Sequence, residues 1–358
     1  MSVSTSRRTD RAWIEIDLPN LVANAQTILA AAKSRALLPM IKANAYGLGA
    51  PQVARSLEAL DPWGYGVATI AEAAELRDSG ISRPLLVFTP AQPEDLPAFH
   101  ELDLRAVVDR PDVARQWDLP FHLEIDTGMG RCGVRWDDAE RIRACGTDRL
   151  EGVFTHLYAA DTYPQSADRQ WHRLQEALRV LDSPPRLVHA ANSAGAWRLQ
   201  ERLDLVRPGI FLYGGRHAAD LPLPQPVVSI RAPVVSLRTL PVGESVSYGG
   251  EWVAPRRTQV ATLAIGYADG YPRAVAGQAH VLLRGQPRPV IGRVTMDFIM
   301  VALGDEDEIA VGDVATVVGR DGDAEITIDE FSEWANTIAY EVLTRLGPRL
   351  QRRYLGVT

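Results

Sequence analysis

Leu37-Leu38-Pro39-Met40-Ile41-Lys42-Ala43-Asn44-Ala45-Tyr46-Gly47-Leu48-Gly49 begins as an apolar run and gives way, at its one charged residue, to a glycine-punctuated loop. The run reads as a buried strand. Working outward, the same unit recurs. Gly64–Val67, Leu85–Phe88, Arg105–Val108, Phe121–Ile125, Leu150–Phe154, Leu187–His189 and Leu205–Val206 are further strand-like runs. Helical patterns such as Ala71–Ser79, Asp137–Ala144 and Ala167–Leu181 fall between them. Eight strand–helix units in about 200 residues predict a (β/α)8 barrel of the TIM type, with a doubly wound open sheet as the alternative.

A proline-punctuated stretch, Leu221-Pro222-Leu223-Pro224-Gln225-Pro226, ends the alternation. Beyond it Val227–Leu240, Gln259–Ala264, His280–Leu283, Pro289–Ile291, Phe298–Ala302 and Val314–Val318 read as strands separated by glycine-rich turns. Ile328–Ala335 and Ile338–Leu346 read as closing helices. The expected class is therefore α/β, with a barrel over residues 1–225 followed by a mainly β domain over 226–358.

The 358 residues are 46% hydrophobic, enough for a large core, and carry a formal charge of -7. A mostly negative surface argues against nucleic acid or an anionic membrane as partner and favours a small-molecule substrate. Met1–Asp10 has no apolar core, and no segment offers the roughly 20 apolar residues a membrane span needs, so the expected location is cytoplasmic. Cys132 and Cys145 have neither metal-ligand spacing nor disulfide density, and no metal is expected.

Of 38 basic residues only Lys33 and Lys42 are lysine, so amine chemistry has two side-chain candidates. Lys33 ends an amphipathic helical stretch and reads as solvated, which leaves Lys42. At the C-terminal end of a barrel strand it stands on the catalytic face, where desolvation favours the neutral, imine-forming amine. A lone lysine at a strand end is more often structural, and the neighbouring motifs decide.

Gly128-Met129-Gly130-Arg131-Cys132-Gly133 matches G-x-G-x-x-G. It follows about the fifth strand rather than opening the first unit, and no acidic residue stands about 20 positions on at a clear strand end, so a nicotinamide oxidoreductase is the weaker reading. Arg131 offers a planar fork to a carboxylate instead. Thr155-His156, His189-Ala190-Ala191-Asn192-Ser193 and Arg207-Pro208-Gly209-Ile210 end three further strands. A hydroxyl, free amides and a helix start are the groups that hold a phosphate. In the β domain Ser247-Tyr248-Gly249-Gly250, Gly266-Tyr267-Ala268-Asp269 and Arg293-Val294-Thr295-Met296-Asp297 are polar islands, two of them carrying tyrosines that turn chemistry does not explain.

In order, from Lys42 to Tyr340, these islands resemble the alanine racemases. The resemblance implies the cofactor pyridoxal 5'-phosphate (PLP), the interconversion of L- and D-alanine supplying peptidoglycan, and a homodimer whose active sites borrow residues from the partner. It implies that the first strand, near Trp13–Ile16, packs with the β domain. Lys42 is then the Schiff-base lysine and one base, Tyr248 the second, because inverting Cα requires an acid–base group on each face. Arg207 pairs with the pyridine nitrogen, where a guanidinium that holds its proton limits transamination. His189 supports Arg207. Tyr46, Ser193, Gly209, Ile210 and Tyr340 bind the phosphate, and His156 packs beside the ring. Arg131, with the Met296 amide, holds the substrate carboxylate. Asp161, Tyr267, Arg273, Arg293 and Ile338 form the entrance, and Asp297 is a supporting group.

This sequence departs from the family in two places. Leu48 replaces a usual histidine, with a packing consequence expected. Glu124 stands where many members have a carbamylated lysine, and its stem is shorter by about 4 Å. Glutamate is expected to replace the carbamate beside Arg131, directly or through a water. The alternatives are a broader-specificity amino acid racemase on the same fold and a non-catalytic PLP-binding protein.

Overall fold

The computed structural model describes residues 11–304 and 307–356, so the Met1–Asp10 segment lies outside the described residues. Two compact units divide the chain: Asn20–Gln225, and the segments up to Pro19 and from Pro226 onward.

Strand β1 (Trp13–Asp17) belongs to the second unit. The first unit then runs β2 (Ala36–Leu37), β3 (Tyr65–Val67), β4 (Leu85–Pro90), β5 (Leu104–Val108), β6 (Phe121–Asp126), the short β7 (Val134–Arg135), β8 (Leu150–Phe154), β9 (Leu187–His189) and β10 (Leu205–Val206). Parallel pairing follows the order β3-β4-β5-β6-β8-β9, and β10 pairs with β2. Backbone bonds join the two sets. Ile41 N–H donates to Gly66 O on one side, and on the other Asp204 N–H donates to Val188 O and Arg207 N–H to Ala191 O. The eight strands thus close into a ring, as the repeated strand–helix pattern predicts. Leu38, Leu86, Val107, Phe154 and Leu205 form one buried cluster drawn from five strands or their immediate flanks.

Local chemistry explains the helices. Thr69 and Glu72 form a reciprocal capping box that starts Ile70–Asp78. Gln165–Leu178 buries Ser166, Ala167, Gln170, Leu174 and Ala177, one stripe at three- and four-residue spacing. The segment after Ile41 corrects the sequence reading. Ala43, Asn44, Ala45 and Tyr46 have φ of 51°, 54°, 52° and 54°, and form a left-handed turn where the sequence reads as a glycine-punctuated loop. Such residues carry strain of about 1–2 kcal/mol each. Four local bonds offset it: Ala45 N–H to Ile41 O (2.7 Å), Gly47 N–H to Ala43 O (2.8 Å), Gly49 N–H to Asn44 O (2.9 Å) and Ala50 N–H to Asn44 Oδ1 (2.8 Å).

The second unit contains β11 (Val228–Leu240), the paired β12 (Ser245–Val246) and β13 (Trp252–Val253), β14 (Thr258–Leu263), β15 (His280–Leu283), β16 (Gln286–Ile291), β17 (Ile299–Ala302), β18 (Val314–Asp321), β19 (Ala324–Ile326) and β20 (Gln351–Leu355). Its main sheet has the order β19-β18-β15-β16-β17-β14-β11-β1-β20, with β18 also paired to β11. Strand β1 lies antiparallel to β11 and parallel to β20. Thr327 caps the helix Ile328–Trp334, and Ala339–Thr344 is the last helix. No helix among the described residues is long and apolar enough to cross a membrane.

Candidate active site

Lys42 stands at the head of the left-handed turn, directly after the residues that bridge β2 to β3. Its turn is pinned from a neighbouring helix. Glu72 accepts from Ala43 N–H through Oε1 (2.7 Å) and from Ala68 N–H through Oε2 (2.7 Å). Burial, together with the charges of Arg131 and Arg207, lowers the Lys42 pKa, outweighing the opposite pull of Glu72. The neutral amine is the nucleophilic form.

Arg207 follows β10 and is only 3% exposed. Nη1 donates to His189 Nδ1 (2.7 Å), and Nη2 donates to Thr155 O (2.8 Å) and Ala190 O (3.3 Å). Nε makes no hydrogen bond among the described residues, which leaves one N–H for an acceptor brought by a ligand. Burial brings its pKa down to about 10, so it stays charged. His156 is pushed down to about 3 by burial and by the charges of Arg207, Arg131 and Lys42. Those four predicted residues therefore share one electrostatic neighbourhood.

Beside them Gly209 N–H donates to Ser193 Oγ (3.1 Å). A Cβ on Gly209 would stand 2.4 Å from Tyr46 Oη, so only glycine leaves this cradle open. Tyr46 stacks on Tyr213 at 4.6 Å, and Tyr213 donates to Met40 O (2.8 Å), tying the cradle to the strand that presents Lys42. The helix after Ser193, Gly195–Arg198, is a single turn, so hydroxyl and backbone groups outweigh any helix dipole there. An arginine N–H, an amine, and a cradle of hydroxyls and amides fit a phosphorylated pyridine aldehyde.

The Gly128–Gly133 loop follows β6. Gly128 and Gly130 N–H both donate to Asp126 Oδ1 (2.9 and 3.1 Å), so amides a pyrophosphate would need are already engaged. Arg131 is exposed on this loop. The loop is anchored by groups that, Thr155 apart, the sequence did not reveal. Gln170 donates to Thr127 Oγ1 (2.9 Å) and to His156 O (2.9 Å), Thr127 and Thr155 hydroxyls meet at 2.6 Å, and Arg173 donates to Thr127 O (2.7 Å). Glu72, which pins the Lys42 turn, had a local signal, the Thr69-x-x-Glu72 box; Gln170 and Arg173 had none. Leu48 is fully buried, as its packing role requires.

Glu124 is 4% exposed, and neither a hydrogen bond nor an ion pair joins it to Arg131. Burial raises its pKa to about 7 although Arg131 and Arg207 pull it down. A folded-state value above the unfolded one favours the protonated form. The resulting penalty is absent below the ordinary value of 4.5 and complete above about 7. Glu124→Gln should therefore stabilise the cofactor-free protein by about 1–3 kcal/mol at pH 8 and by almost nothing at pH 4. Melting temperatures across that range test this, and a pH-independent difference contradicts it.

The remaining predicted residues belong to the β-rich unit. Tyr248 is 71% exposed, and Arg293 packs against its neighbour Gly249 and pairs with Glu251. Arg273 is close enough to act on Glu251. Tyr267 N–H donates to Thr295 O (3.1 Å) and Ala268 N–H to Met296 O (3.1 Å), so the Tyr267 and Met296 islands adjoin. Asp297 pairs with Arg349 (2.8 Å), which also grips the buried Asp269 (2.9 Å). Ile338 and Tyr340 are exposed at the start of the last helix. Asp161, in the barrel unit, is exposed and acts on His217.

Comparison with known proteins agrees with these features. Residues 16–217 match the alanine racemase N-terminal domain and 227–354 the alanine racemase C-terminal domain. The chain is 41% identical to an alanine racemase of Deinococcus deserti over 96% of this chain and 98% of that one. The alanine racemase of Bacillus anthracis with bound L-Ala-P superposes with TM-score 0.88 at 31% identity, covering 97% of this chain and 95% of that one. That of Bartonella henselae, with covalently bound pyridoxal phosphate, gives TM-score 0.88 at 27% identity over 96% and 99%.

Proposed function

The chain belongs to the alanine racemase family, and from that premise we propose which of its residues carry the PLP-dependent interconversion of L- and D-alanine. Bound PLP supplies an electron sink that makes the substrate Cα proton removable. Lys42 anchors the cofactor and moves a proton on one face of Cα, and Tyr248 moves it on the other. Arg207, whose Nε–H is left over from its protein partners, would meet the ring nitrogen. Ser193, Gly209, Ile210, Tyr46 and Tyr340 hold the phosphate, and His156 lies beside the ring. Arg131 and the amide of Met296 hold the substrate carboxylate. Tyr267, Arg273, Arg293, Asp161 and Ile338 line the approach, while His189 supports Arg207 and Asp297 is a further supporting group.

The observation that carries this reading is the mutual influence of Lys42, Arg131, His156 and Arg207 next to the Ser193–Gly209 cradle. Borohydride treatment of the PLP-loaded protein, followed by peptide mapping, should place the reduced cofactor on Lys42. Label elsewhere, or none, rejects the assignment. The reading includes a homodimer with shared sites, a cytoplasmic location and a supply of D-alanine to peptidoglycan. Exposed Tyr248, Tyr267, Met296, Ile338 and Tyr340 are apolar groups that gain from a partner surface.

Glu124, in this reading, supplies the carboxylate that steadies Arg131 across a gap, through a bridging water, rather than by a direct pair. Glu124→Gln should lower kcat/KM for alanine about tenfold. Equal values in the two proteins would end that idea.

A further inference from the structure

Behind Arg207 the barrel interior holds a file of polar side chains that continues past His189 to groups the racemisation scheme does not use. His189 and His122 are fully buried. His189 Nε2 lies 2.7 Å from His122 Nδ1, and His122 Nε2 lies 3.6 Å from Glu151 Oε2. Arg105 Nε donates to the same Glu151 oxygen (3.2 Å). The file descends from the end of β9 to the start of β6 and β8, where Glu151 is partly exposed.

Strand register builds this arrangement. His122 stands opposite Gly152, and Phe154 opposite His189. A Cβ on Gly152 would lie 2.6 Å from His122 Nδ1, so a glycine is required beside the imidazole. Phe154 stacks on His189 (centroids 4.9 Å apart, 7° between planes), and Trp63 lies against His122 at 5.3 Å. Aromatic walls exclude water and strengthen the bonds inside.

The donors fix one direction. Guanidinium has no acceptor, so His189 Nδ1 must accept from Arg207. Burial keeps both imidazoles neutral. His189 then carries its proton on Nε2 and donates to His122 Nδ1, and His122 carries its own on Nε2, facing the Glu151 carboxylate. Burial opposes ionisation of Glu151, but His122, Arg105 and Arg186 together outweigh it and lower its pKa.

We infer that His122 and Glu151 are positioning residues, which set the tautomer of His189 from the far end of the barrel and thereby hold Arg207 in place. The inference rests on the reading that Arg207 meets the cofactor ring. Without the carboxylate, His122 Nε2–H loses the charge it faces, and the bond from Arg207 is left alone to fix both tautomers. His189 is then held less firmly as an acceptor, and the guanidinium less firmly in its orientation.

Imidazole nitrogen shifts in 15N-histidine-labelled, cofactor-free protein read the tautomers with no turnover involved. Both histidines should be protonated on Nε2 in the wild type. Glu151→Gln removes the charge and keeps the shape. His122→Asn keeps an acceptor for His189 and cuts the link to Glu151. Each should give mixed tautomers at the remaining histidines and, with PLP bound, lower kcat about tenfold with KM nearly unchanged. A wild-type His189 protonated on Nδ1, or tautomers unmoved by both variants, overturns the inference. So do shifted tautomers with unaltered kcat, and Arg207→Lys then locates the failure. Normal turnover in that variant removes Arg207 from the ring. Impaired turnover leaves it there and discards only the role of His122 and Glu151.

Discussion

Replacing Lys42 with alanine should lower kcat/KM for racemisation by at least about 10⁴-fold and leave PLP bound without a covalent link. The magnitude follows from two roles ending at once, the attachment of the cofactor and a proton-transfer group on one face of Cα. No other side chain takes over. The second lysine, Lys33, is exposed on the surface and begins no strand or loop of the cradle. Lys42→Arg should fail equally, since a guanidinium is a poor nucleophile that holds its proton. The fold is expected to tolerate both changes. Among the described residues the Lys42 side chain makes no hydrogen bond or ion pair, and the left-handed turn is held by backbone groups, Asn44 and Glu72. Thermal unfolding of Lys42→Ala should stay within about 1 kcal/mol of wild type. D-alanine formation, absorption of the bound cofactor and melting temperature, measured together, separate a lost reaction from a lost fold. Residual activity above one-hundredth of wild type contradicts the assignment.

Buried parallel strands announce themselves because both faces are apolar, which is why the eight barrel strands are legible as runs such as Leu85-Leu86-Val87-Phe88. Strand β20, Gln351-Arg352-Arg353-Tyr354-Leu355, is not: it is an edge strand with no fully buried residue, and only its pairing with β1 makes it one. The two-residue hairpin strands β12 and β13 are too short for any period to show. Ala43–Tyr46 contains one residue, Asn44, that favours the left-handed region, and the neighbouring Glu72 that stabilises the turn is 29 positions away. Lys42 stood out because the chain has so few lysines. The file behind Arg207 did not, since its members lie 18 and 67 positions apart and meet only through the register of β6, β8 and β9. Residues that touch a ligand leave a mark at strand ends. Those that hold them are set by pairing the sequence does not display.

Tyr248→Phe removes one hydroxyl and should lower kcat by about 10²–10⁴-fold, with a signature that a structural lesion lacks. The phenol makes no hydrogen bond within the described chain and is 71% exposed, so stability should be unchanged. With Lys42 still serving one face, the Cα proton of one alanine enantiomer continues to exchange with deuterium oxide, while that of its mirror image exchanges slowly. Proton NMR of each enantiomer in turn reads this asymmetry, and equal loss from both argues against a second base at Tyr248. Mixing the two variants tests where the phenol comes from. If each site joins Lys42 of one chain to Tyr248 of its partner, then a Lys42→Ala/Tyr248→Phe heterodimer has one site with both lesions and one with neither. Random reassembly of equal amounts then restores about one quarter of wild-type activity from two nearly inactive proteins. Were both groups drawn from the same chain, every site would keep a lesion and the mixture would stay as inactive as its parts.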